Sequence, residues 1–529
     1  MKHCFVLLFV LGLYFNSQSQ TPITIREGAS IKINLGTSLT NSELTLKSVS
    51  NQYSNLIVDG NLGTSPGGVV NYDRYINLIG SDSAGGNDLV SFPVFQGGDN
   101  FDDFLAYGES LNDNKLRIAS NPSNSTEYLF GPYENKSPTG YVNYNEGNSD
   151  IIEVGKGYRA ATTDIDLDLS GETVRFTGNV IQNDVLVTID TEDNTWNAVG
   201  NPYPSYIDAQ LFLDENIAAL AANSTLNPDA AAIYAYNDAT DAGSNTIGNF
   251  TIINKTSNTN INIAPGQGFL VSDNALNNQQ LSFTQSMRTF EGTDDFILGR
   301  SSGDNFNIRL FAQTESRTYA TEFYFNDQAS DGLDIGYDAE LYIGQLAPLM
   351  IYSHLVEDNS GKRMAIQAID NNFDDVTIPL GLKALQGQQV TIGIQNSDLP
   401  DDVQVYLEDN FYNTFTPLNN SSYTFTTENN LNGTGRFFLR TTNETLSEIG
   451  QYKSSLNMYA IDKIVYIKGQ LSKNSQLKIM DIQGRNVLST LLDYSSTNNQ
   501  VDVSNLTSGI YILGLLNDGQ EKAQKIIIK

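Results

Sequence analysis

The chain has 529 residues with 61 acidic against 30 basic side chains, a net charge of −31, and a single cysteine, Cys4. That balance excludes nucleic acid and anionic lipid as partners of the surface at large, and the lone cysteine excludes disulfides and thiolate metal sites. At ~150 residues per domain the length suits three or four domains, and 40% hydrophobic content suits folded rather than disordered protein.

The chain opens on "MKHCFVLLFVLGLYFNSQSQ". Lys2 precedes an apolar run from Cys4 to Phe15, and small polar residues follow. A run this short cannot span a bilayer of ~30 Å as a helix, so residues 1–19 read as a cleaved secretory signal. Its removal leaves no cysteine and 29 basic against 61 acidic residues. No later segment is apolar for long enough to span a membrane.

Residues 20–71 form a strip of short strands ("ITI", "IKI", "LTL", "LIV") separated by Gly, Asn and Ser turns. The pattern fits a piece of β-solenoid or an edge sheet. Beyond it an internal repeat sets the organisation. "LVSFPVFQGG" (Leu89 to Gly98) aligns with "AVGNPYPSYI" (Ala198 to Ile207), and "FDDFL" with "AQLFL". "VGKGYRA" aligns with "APGQGFLV", and "ETVRFTG" with "QQLSFTQ". Four landmarks recur in one order, so residues 72–182 and 183–300 are two copies of one β unit. The only helix-like stretch is "AQLFLDENIAALAAN".

Residues 304–442 carry eight apparent strands at sandwich-like spacing. Residues 443–455 are a polar linker, and residues 456–529 hold seven strands of a small sandwich. Asp518-Gly519 marks the turn of the last hairpin.

The ending "LKIMDIQGRNVLS", "VDVSNLTSGIYILGLL" and "KIIIK" resembles the type A C-terminal sorting domain of type IX secretion. Gly484 and Arg485 match its turn, Leu506, Gly509 and Tyr511 its next element, and Lys525 and Lys529 its end. The resemblance implies an Ig-like β-sandwich, export by the type IX machinery across the outer membrane, and attachment to surface glycolipid or release. "YDRYI", "WNAVGNPYPSYID" and "APGQGFLV" are similar to phrases in repeats of such surface proteins. That similarity brings no established activity.

The fold class expected is therefore all-β and multi-domain: tandem β units, a β-sandwich and the sorting domain. Candidate chemistry is sparse. His354 is the only histidine after the signal, which leaves a Ser-His-Asp site or a zinc site without ligands. Trp196, the only tryptophan, reads as core of the second repeat. "DIDLDLSGE" (Asp164 to Glu172) alternates as a strand with aspartates facing water. "GKGY" and "GQGF" read as duplicated tight turns rather than phosphate loops. Asp82-Ser83-Ala84 fits a short O-glycosylation pattern. Asp327, Asp331, Asp334 and Asp338 share a Gly-containing loop. A solvated turn is the preferred reading there, with calcium as the alternative and no other cofactor implied.

The expectation is a non-catalytic secreted or cell-surface protein, an adhesin or scaffold with an unknown glycan or protein ligand. The alternative is a carbohydrate-binding or glycoside-cleaving surface protein, which needs two carboxylates ~5–10 Å apart beside exposed aromatics.

Overall fold

The computed structural model describes residues 22–528 apart from 42, 65–68, 80–87, 111–112, 136–139, 191–193, 219–223, 238–248, 257–260, 275–279, 293–305, 328, 343–346, 374–375, 401, 413, 443–456, 462, 469–470, 495, 497 and 518–519. The signal segment, the Asp82-Ser83-Ala84 pattern, the linker, the Asp518-Gly519 turn and Lys529 lie outside the described residues.

The N-terminal strip is a short solenoid. Ile23–Ile25 pairs in parallel with Leu44–Val49, Ser30–Ile33 with Asn55–Val58, and Ser38–Asn41 with Asn61–Thr64. Each coil stacks its short strands on those of the previous coil, and Ile25, Ile33, Leu44, Leu46, Leu56 and Val58 point inward. Val70–Ile76 adds a parallel strand to Leu44–Val49 and pairs on its other edge, antiparallel, with Glu172–Gly178. With both edges bonded it is buried throughout. A boundary at 71/72 therefore falls inside a strand, and solenoid and first repeat share one core.

The duplication is carried into the strand register. In the first copy Val90 faces Tyr158 and Leu89 faces Arg159; in the second Val199 faces Phe269 and Ala198 faces Leu270. Both copies place a helix after this strand, Phe101–Ala106 and Ala209–Asn216. The first begins on a capping box between Asn100 and Asp103, and the second on the Asp208 carboxylate. Asn201 anchors the "NPYP" turn, its fully buried amide donating to the carbonyls of Ser205, Ile263 and Ala264.

The two copies interlock as one body. The Gly200 N–H donates to the Gly155 carbonyl at 2.9 Å, and the Ser91 N–H to the Gly266 carbonyl at 2.7 Å. These two bonds are equivalents under the duplication, so the contact is a pseudo-twofold one within a single chain. Glycine is required at its centre. A Cβ on Gly157 would lie 2.9 Å from the Ala198 backbone, and one on Gly268 would lie 2.8 Å from that of Leu89.

Residues 306–442 differ from the two-sheet sandwich expected. They form one sheet of eleven strands, running from Thr414–Pro417 through Gln404–Asp409, Leu431–Thr442 and Val376–Ala384 to Gln389–Asp398 and Tyr423–Thr426. The sheet curls into a nearly closed barrel, and both ends contribute to the same core through Val405, Leu407 and Phe425. The three extra strands are Met350–Ser353, Val376–Ala384 and Thr414–Pro417. The last unit has the seven expected strands in two antiparallel sheets of three and four. Its strand Gly509–Asn517 alternates, with Tyr511, Leu513 and Leu515 buried and Ile510 exposed.

Candidate binding site

The acidic loop does not gather its carboxylates around one point. Asp338 is fully buried, and its two oxygens accept the N–H groups of Asp334 at 2.6 Å and Ala368 at 2.7 Å. Asp334 accepts from the N–H and hydroxyl of Ser330, and Asp327 is exposed. Asp331 is half-buried, and its carboxyl is raised by burial, with neighbouring Glu357, Asp370 and Asp334 adding to the rise. Among the described residues no three His, Cys, Asp or Glu side chains form a metal-binding group.

Other sequence candidates resolve into structure. Residues 164–171 are a loop, not a strand: the Asp164 carboxylate turns inward to accept the N–H groups of Asp168 and Leu169. Leu167 and Leu169 take positive φ and point outward. Trp196 lies outside the core of the second repeat. It packs edge-on at 4.7 Å against both Tyr234 and Tyr342, in a cluster joining the repeats to the barrel. His354 is buried beside Tyr352, with its backbone N–H on the Pro379 carbonyl.

The site that sequence reading missed is an arginine held among aromatic rings. Asp409 ends the strand Gln404–Asp409 and is 1% exposed. It accepts two guanidinium nitrogens of Arg436, with Nη2 at 2.7 Å. It also accepts the Phe411 N–H at 2.8 Å and the Tyr423 hydroxyl at 2.7 Å. Tyr423 belongs to the last strand of the sheet, so this carboxylate ties the two ends of the barrel together. Burial, and then the bond to Asp409, push the Tyr423 phenol up to about 12.

The Arg436 guanidinium lies 4.4–5.3 Å from the ring centres of Phe425, Phe437, Phe411 and Tyr412. Such contacts are each worth roughly 0.5–2 kcal/mol. They fix the turn after the strand so that Phe411 and Tyr412 project, 57% and 45% exposed. The Tyr412 hydroxyl donates to Glu428, a bond that raises its phenol. The neighbouring acid, Glu408, is taken by Arg440 Nε at 2.6 Å, and Arg440 also lies under Phe415. Both strand-end carboxylates are thus committed to arginines, which leaves neither as a general acid or base. The arrangement leaves Phe411 and Tyr412 as exposed aromatic surface above two arginine–carboxylate pairs.

The sorting-signal residues divide between turn geometry and packing. Gly484 takes φ 78°, and the Asp481 carboxylate accepts the N–H and Nε of Arg485 across the same turn. The Tyr511 hydroxyl donates to the Thr507 carbonyl, Leu506 packs on the core, and Gly509 starts the strand. Lys525 is exposed on the last strand opposite Ile512. No helix among the described residues is long and apolar enough to cross a membrane.

A family described as a secretion system C-terminal sorting domain matches residues 461–529. The chain is therefore a type IX secretion sorting-domain protein, secreted or displayed at the cell surface. No curated protein matches it. A solved structure titled "Biofilm associated protein - BSP domain" is similar over 65% of this chain and 81% of that chain, at 10% identity and a TM-score of 0.12. A family described as a domain of unknown function (DUF8693) matches residues 16–440, and the chain belongs to that family.

Proposed function

We propose that this protein is a non-catalytic adhesin, displayed on the exterior of the outer membrane, that grips its ligand with the Phe411–Tyr412 tip. The observation that carries the reading is the support under that tip: the Arg436 guanidinium packed against Phe425 and Phe437 and held by Asp409. Exposed aromatics on an unsupported turn lose side-chain entropy on binding, whereas these are already fixed. The ligand chemistry that suits the tip is a neutral sugar ring, apolar on its face and hydroxylated at its edge. Glu428 beside Tyr412 offers an acceptor to hydroxyls and repels polyanions.

The test is a glycan and matrix-protein binding array probed with the mature chain and with F411A/Y412A. Wild-type binding to neutral glycans, reduced about tenfold in the variant, is the expected result. Release of free sugar, or binding that ignores the variant, contradicts it.

A further inference from the structure

The barrel and the sorting domain meet across a cleft of about 220 Å³. The barrel side supplies Tyr352, His354 and Arg363, and the sorting-domain side supplies Tyr459, Lys463 and Lys525. The Phe438 and Tyr459 rings, 6.1 Å apart, hold the two sides together. Among the described residues lining the cleft none is Asp or Glu. In a chain with twice as many acids as bases, a cleft with three cations and, among its described residues, no acid is a local reversal of the field.

Among the described residues Arg363, Lys463 and Lys525 have no ion-pair partner. The Arg363 guanidinium lies 5.0 Å over the Tyr352 ring, which orients its fork without using up its charge. Lys463 takes a positive φ of 65°, and its Nζ donates to the Leu506 carbonyl at 2.8 Å, leaving two of its three protons for another acceptor. Lys525 is exposed at the cleft's edge.

We infer that this cleft binds an anionic group, a phosphate or carboxylate on a small molecule or sugar unit, between Arg363 on one side and Lys463 and Lys525 on the other. At ~30 Å³ per water the space holds about seven waters, room for one such group with its ring rather than for an extended polymer. Because the cations come from both units, an anion bound there also fastens the sorting domain to its cargo. Sulfate- or phosphate-type anions and uronic acids share this chemistry.

Calorimetric titration of the mature full chain with inorganic phosphate, glucuronate and glucose tests the proposal and separates the sources. Phosphate alone, glucuronate alone, or both binding, with glucose silent, supports it. Arg363→Gln and Lys525→Gln are each expected to weaken binding roughly tenfold, Lys525→Glu to abolish it, and Lys525→Arg to retain it. Circular dichroism of each variant must match the wild type, and Lys525, exposed on a strand, is the position least able to disturb the fold. Failure of both anions to bind, equal heats with glucose, or full affinity in Lys525→Glu overturns the proposal.

Discussion

Two buried aspartates in the barrel unit meet opposite fates. Asp409 is met by a guanidinium, whereas Asp338 is met only by backbone amides, and burial pushes its carboxyl up to about 8. Its folded pKa lies above the ordinary 3.8, so the folded state holds a proton that the unfolded chain gives up. The stability this group contributes is therefore fully present below pH 3.8 and is lost as pH rises through about 8. Asp338→Ala strands two buried N–H groups and is expected to cost about 2–4 kcal/mol in chemical denaturation. The difference from wild type is largest at acid pH and shrinks toward pH 8; a penalty that grows with pH contradicts the assignment. Residue type and spacing made Asp338 legible as a carboxylate of interest. Which donors would reach it depends on Ala368, thirty residues on in another strand, and no local pattern carries that.

The glycines of the repeat contact give the sharpest prediction for a local element. Gly268→Ala drives a methyl into the Leu89 backbone, which cannot move without breaking the Leu89–Arg159 ladder. A loss of about 2–3 kcal/mol is expected. Gly147→Ala, at φ 81° with nothing nearby, pays only for its backbone conformation, about 1 kcal/mol. Equal effects at both positions would mean the copies do not interlock as described. The duplication was legible because strands, helix and glycine turns recur in order, and the equivalent strands pair in equivalent register. The interlocking was not, since it depends on how the copies face each other. The strand Val376–Ala384 escaped because Pro379 reads as a breaker. Its carbonyl instead accepts the His354 N–H, and the strand continues through it between two neighbours. The curl of the barrel escaped as well, for it is closed by Tyr423 reaching Asp409 from the far end of the sheet.

At the scale of the molecule, a solenoid cap, a fused pair of repeats and a barrel form the body, and a separate seven-stranded sandwich carries the export signal. The export signal was readable because its turn, core tyrosine and terminal strand are local. The proposed binding tip was not, because Phe411 and Tyr412 look like any exposed turn until Arg436 arrives from another strand. The account predicts a division of labour between them. The most direct test is retention of type IX-competent cells on a neutral-glycan surface, with the full chain expressed as wild type or as F411A/Y412A and surface amounts matched by antibody labelling. The expected result is equal display with about tenfold lower retention of the variant. Equal display with equal retention would contradict the account.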